Sequence, residues 1–251
     1  MGIRFVDLST PIANSPPETP EFLRTEIDYT DHAGGAATIE QLLGVTADLL
    51  RDGEGWAVEE FRRFGTHNST HVDAPWHYNS TIQGKPAQTI DELPLEWFFS
   101  DGVVLDFTAK APGDVISVED VQRELDRIRY TVKERDIVLN HTGAGAYNTE
   151  ERYRTDHPGM SAAATRWLIE QGVRLMGCDA ITYDPPVWAM FEKKLFWEAH
   201  RVMWDEEYWH LENLMNLEHI GRPHGFQLCV LPIKWVGTTA APVRAVAIVD
   251  E

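Results

Sequence analysis

His67-Asn68-Ser69-Thr70-His71-Val72-Asp73-Ala74-Pro75-Trp76-His77 sets three imidazoles and a carboxylate within eleven residues. The whole chain of 251 residues holds 10 histidines, so the spacing His-x3-His-x-Asp-x3-His is a marked concentration. Neutral imidazole and carboxylate are the usual ligands of Zn2+ and its neighbours. The four residues are all odd-numbered, and in an extended chain residues of one parity face one way. A helix would bring His67 and His71 together but carry Asp73 away, and Pro75 would break it. The segment is therefore expected to be a strand or bent extended stretch, bending near Ser69-Thr70 and entering a turn at Ala74-Pro75. Four extended residues span about 13 Å, which two inward-pointing imidazoles just cover.

Three ligands leave a metal position open for water, as a catalytic site requires. His77, four residues past Asp73, can bind metal or stand apart as an acid/base. Chemistry alone reaches metal-assisted hydrolysis or metal-assisted proton transfer and names no substrate.

The rest of the chain sets bounds. No linker or repeat divides it, so residues 1–251 are expected as a single domain. A net charge of −18 argues against nucleic acid, whose binding needs Lys and Arg, and against an anionic membrane. No apolar run approaches the ~20 residues that cross a bilayer, and no signal segment is visible, so the expected place is the cytoplasm. Cys178 and Cys229 are expected as reduced thiols.

Ile3–Leu8 is expected as a strand, and Pro11, Pro16, Pro17 and Pro20 bar regular structure after it. Gly34-Gly35 extends this into the likeliest mobile loop, and Thr38–Leu50 carries helical spacing. Strands are expected around Val103–Phe107, Ile137–Leu139, Val173–Met176, Phe226–Ile233 and Val243–Val249. Helices are expected to open at Ser117, running to about Ile128, and at Ser161, running to Gln171 before Gly172. Elements alternate in the middle and become consecutive strands at the end, which suggests a mixed α/β layer structure.

On its central motif the chain resembles the cyclase family, whose best-known members are bacterial kynurenine formamidase and isatin hydrolase. That family's hallmark reads His-x-Gly-Thr-His-x-Asp-x-Pro-x-His. Only the glycine differs here, where the residue is Ser69. Asp7-Leu8-Ser9-x-Pro11-Ile12, Asp136 through Thr142-Gly143, His157-Pro158-Gly159-Met160-Ser161, Gly177-Cys178-Asp179-Ala180 and Asp184-Pro185 follow in the family's order. The stretch from His200 to Glu218 is similar to the long-chain members.

The resemblance implies a swivelling β/β/α domain with a mixed sheet flanked by helices, usually a homodimer or homotetramer. It implies one or two divalent ions, Zn or Mn. Through the match of His200 and, twelve residues on, Glu212 in His-Leu-Glu-Asn, it implies a second site. His67 and His71 would hold the first ion, Asp73 and Glu212 would bridge, and His200 would hold the second. His77 would be the acid/base. The implied activity is hydrolysis of an amide, cyclic amide or lactone of a small carbonyl substrate. The alternative is a cyclase or lyase that adds no water. Residues Ala13–Arg24 hold no Trp, where kynurenine formamidase places one against its substrate, so a substrate other than N-formylkynurenine is expected. Trp76 is the best aromatic candidate for a substrate wall. His210, His219 and His224 are not expected as ligands.

Overall fold

The computed structural model describes residues 2–251. They form two compact units, one holding the chain up to Thr10 and Ser69–Glu251, the other Pro11–Asn68.

The larger unit is built on a nine-stranded mixed sheet. Its strands are β1 (Ile3–Asp7), β2 (His71–Asp73), β3 (Phe99–Asp106), β4 (Ile137–His141), β5 (Leu175–Cys178), β6 (Trp209–Glu212), β7 (Phe226–Cys229), β8 (Ala240–Pro242) and β9 (Val246–Asp250). The order across the sheet is β1-β9-β7-β3-β4-β5-β6-β2-β8. The run β3-β4-β5-β6 is parallel and every other neighbouring pair is antiparallel.

The parallel strands read as near-continuous apolar runs because both faces are covered. Val104, Ile137, Leu139 and Leu175 enter one core, while Val103, Leu105, Val138 and Met176 enter another. Full burial of each such side chain stabilises by roughly 1.5–3 kcal/mol, so this part of the sheet anchors the unit. Two helices cover the second face: α2 (Val118–Ile128) through Val121, Leu125 and Ile128, and α3 (Ala162–Glu170) through Ala164, Leu168 and Ile169. Both begin where the sequence placed them. Ser117 and Asp120 form a capping box, and the Ser161 hydroxyl accepts from the Ala164 N–H at 3.1 Å. A short helix α4 (Val187–Lys193) follows Pro186.

The sheet has to curl. Pro242 ends β8 at one edge, and Val246 opens β9 seven strand positions away. Laid flat, seven spacings of about 4.8 Å would separate them by about 34 Å. Four residues of chain reach only about 14 Å. The curl is clasped by the β8–β9 connection, where Val243 donates to the Thr70 carbonyl and Leu8 to that of Ala245.

In the smaller unit, Glu26–Thr30 pairs antiparallel with Val58–Arg63, and α1 (His32–Leu43) lies between them in sequence. This corrects the expected loop at Gly34-Gly35 and the expected helix over Thr38–Leu50. Asp31 caps α1 by accepting from the Gly34 N–H, and Gly44, with φ of +69°, ends it. Gly35 sits inside the helix because a Cβ there would stand 1.7 Å from the Trp56 carbonyl oxygen. The glycine signals close contact, not a loop. Both cysteines are free thiols, Cys178 being buried. No helix among the described residues is long and apolar enough to cross a membrane.

Candidate metal centre

Three-residue β2 lies between β6 and β8, and its register builds the site. Asp73 pairs with His210 on β6, Val72 with Leu211, and His71 with Glu212. Successive side chains alternate faces, so Val72 and Leu211 enter the apolar core while His71, Asp73, His210 and Glu212 share the other face. All four are buried, as is His200 at the head of the 3-10 turn His200–Trp204.

The Nε2 of His71 is 3.1 Å from an Asp73 oxygen and 3.7 Å from one of Glu212. The Nε2 of His200 is 3.7 Å from the other Asp73 oxygen and 3.5 Å from the other Glu212 oxygen. Two ligand atoms each about 2.1 Å from one tetrahedral ion stand about 3.4 Å apart, so the spacing fits a shared cation.

Tautomers agree. His71 presents Nδ1 to the Ser69 carbonyl at 2.7 Å, and His200 presents Nδ1 to Asp184 Oδ2 at 2.5 Å. With its Nδ1 committed there, each ring turns Nε2 to the carboxylates, which is how a metal-binding imidazole is oriented. Asp184 is itself fixed by the backbone N–H groups of Ala199, at 2.8 Å, and His200, at 3.1 Å. Glu212 accepts from the Tyr183 N–H at 2.7 Å.

Charge follows from the same contacts. Burial works against a protonated His71 or His200, but the acids beside them outweigh it and both imidazoles are held above their ordinary pKa. Burial, then Asp73, pushes Glu212 up. His210 goes the other way: burial, then the neighbouring His200, holds it well below the usual range. This crowd of acids and imidazoles is the donor set a divalent cation would neutralise.

The segment is bent as expected, but parity acts only over His71–Asp73. His77 is placed by the 3-10 turn Pro75–His77, not by a strand. Its ring lies 6.0 Å from that of His200 and is exposed. Trp76 beside it is exposed as well. His67 falls in the smaller unit, half-buried in the turn after Gly65. Ser69, in the family's glycine position, is free of left-handed backbone.

His210 is the residue the sequence reading set aside and the structure brings in. One ligand atom from each of Asp73, His200, His210 and Glu212 lies within 4.8 Å of every other. The available signal was its two-residue spacing from Glu212, which in a strand means one face. His219 is exposed beside Glu218, and His224 stacks on Tyr130, as neither was expected to ligate.

The weaker motifs form the frame. Asp179 accepts from the Thr142 N–H at 2.7 Å, the Thr142 hydroxyl at 2.6 Å and the Gly143 N–H at 2.9 Å. Gly159 packs flat on Asp184-Pro185, where a Cβ would stand 2.0 Å from the Pro185 nitrogen.

A family model described as "Putative cyclase" matches residues 6–185. The kynurenine formamidase of Salinibacter ruber is 34% identical over 184 residues, covering 73% of this chain and 76% of that protein. The kynurenine formamidase of Bacillus cereus is 24% identical over 247 residues, covering 96% of each. Among solved structures, isatin hydrolase A from Ralstonia solanacearum has the same fold, with a TM-score of 0.77 over 99% of this chain and 92% of that one at 23% identity.

Proposed function

The chain belongs to the Cyclase family, and from that premise we propose that it is a metal-dependent hydrolase opening an amide, cyclic amide or lactone acyl bond. The observation that carries this reading is the convergence of two buried Nε2 atoms on two buried carboxylates, with each Nδ1 tied back. His67 and His71 would hold one divalent ion and His200 a second, with Asp73 and Glu212 as the carboxylates common to both. The ions would be Zn or Mn. When bound, they supply a Lewis acid that polarises the scissile carbonyl and brings the pKa of water to about 7.

The chain's own groups do the rest. His77 is the acid/base: its exposed ring takes the proton from the attacking water and returns it to the leaving nitrogen or oxygen. The Ser69 carbonyl and Asp184 keep the ligand rings from turning. Trp76 offers an apolar plane at the mouth, suited to a substrate with a flat ring.

The working form is a cytoplasmic homodimer or homotetramer with no nucleic-acid or membrane partner. Edge strand β1 supports self-association, since Ile3 and Phe5 are 60% and 68% exposed on one of its faces.

The test is elemental analysis of the purified protein, then chelation, reloading with Zn2+ or Mn2+, and a screen of N-formyl amines, cyclic imides and lactones in 18O-labelled water. Label in the product is expected. Turnover without label would replace hydrolysis by the cyclase or lyase reaction, and activity indifferent to chelation would end the metal reading.

A further inference from the structure

We propose that His210 is a fourth ligand of the second ion, which closes that site with four protein donors. This rests on the metal reading above and goes beyond it, since the site implied by resemblance gives the second ion a single imidazole.

Three observations carry the inference. The first is placement: His210 stands opposite Asp73 across the β2–β6 pair and shares a face with Glu212. Its ring meets that of His200 edge-on, 4.3 Å between centroids. The second is satisfaction. His210 is fully buried, and neither Nδ1 nor Nε2 has a hydrogen-bond partner. A neutral imidazole carries one donor and one acceptor, and a buried polar group without partners is costly enough to need a specific reason. His200 and His71 each commit a nitrogen to the protein, whereas His210 commits none. The third is rigidity. Tyr183 lies at 4.6 Å and Tyr208 at 4.9 Å from its ring, so the imidazole is held in place without hydrogen bonds.

The donor count then assigns the role. Asp73, His200, His210 and Glu212 offer two imidazoles and two carboxylates, one atom of each within 4.8 Å of the others. Four protein donors complete a tetrahedral shell, and structural zinc sites are closed in this way. The second ion would thus brace Asp73 and Glu212, the carboxylates that the first ion shares.

The decisive variant is His210→Phe in the full chain, which fills the same aromatic slot and removes both nitrogens. Wild-type and variant protein are stripped with chelator and titrated with Zn2+, with bound metal counted by elemental analysis. Co2+ is followed separately by its visible absorption. The wild type is expected to bind two ions, and H210F to bind the second at least 100-fold more weakly with the matching Co2+ absorption lost. The metal-free variant should melt no lower than the metal-free wild type, because it buries no unpartnered nitrogen. His210→Gln serves as the second variant should H210F not fold, with the same loss expected. Wild-type metal content and affinity in the folded variant would overturn the proposal. A wild type that takes up no divalent ion would overturn the metal reading and this inference together, whereas a wild type that loads beside a variant that loads equally overturns this inference alone.

Discussion

Asp184 Oδ2 and His200 Nδ1 stand 2.5 Å apart, both buried, and this contact decides which nitrogen His200 offers to the site. Asp184→Asn keeps an oxygen for the Ala199 and His200 N–H groups, so the fold should survive. The amide no longer holds the imidazole by charge, and metal affinity is expected to fall about 10–100-fold. Competition against a chelator of known affinity measures it, and unchanged affinity would show that Asp184 serves the backbone alone.

On the proposed assignment, in which His77 moves a proton and holds no ion, His77→Ala should lower kcat by about 10²–10⁴-fold while metal content stays at the wild-type level. Elemental analysis beside kinetics separates the two roles. A variant purified with less metal would make His77 a ligand.

Removing metal should lower Tm, since the ion binds only the folded site; at a free concentration 100 times Kd the gain is about 2.7 kcal/mol. Glu212→Gln deletes one of the two buried carboxylates that stand between the His71 and His200 imidazoles. The same variant should gain little on adding Zn2+. Calorimetry of four samples, two proteins with and without metal, tests both halves.

His157 is fully buried, with Nδ1 on the Pro158 carbonyl at 3.0 Å and Nε2 without a partner, and burial lowers its pKa from the ordinary 6.5. Below about pH 6.5 the unfolded chain binds a proton that the folded chain resists. The stabilising contribution is therefore complete above that pH and lost as pH falls through it toward the folded value. Urea midpoints from pH 7.5 to 5.5 should decline more steeply for the wild type than for His157→Gln. Parallel declines would remove His157 from the account.

Gly159→Ala should weaken the site without touching it. The added methyl would displace the Asp184-Pro185 backbone, and with it the carboxylate that orients His200. Reduced metal affinity with near-native circular dichroism is expected, and normal affinity would mean that the loop yields freely.

Sequence reading succeeded where local chemistry decides structure. Ser117 and Ser161 announce their helices because a cap followed by apolar spacing has few other readings. The strands Ile137–His141 and Leu175–Cys178 are legible from apolar runs, though their bounds shift by a residue or two. Strand β2 was legible only as an extended chemical motif, since Val72 is its single apolar residue. Its pairing with β6 depends on contacts across more than a hundred residues, which no local pattern encodes. The pair Glu26–Thr30 and Val58–Arg63 went unseen because its exposed residues are largely charged. His210 by itself carries no ligand signal, since a lone His is mostly a surface or core residue. Beside Glu212 its parity was informative, and its facing partner Asp73 emerges only from the register.

The strand pairing also sets a timetable. β2 leaves the ribosome early, while its neighbours β6 and β8 are made roughly 140 and 170 residues later. At about 5–20 residues per second, the nascent chain displays His67–His77 for about 7–28 s before β6 exists to enclose it. During that interval the motif is an open chelator without Glu212, His200 or His210. Correct metallation is thus a matter of order as well as affinity, and the last strands of the curled sheet decide when the vestibule becomes a chamber.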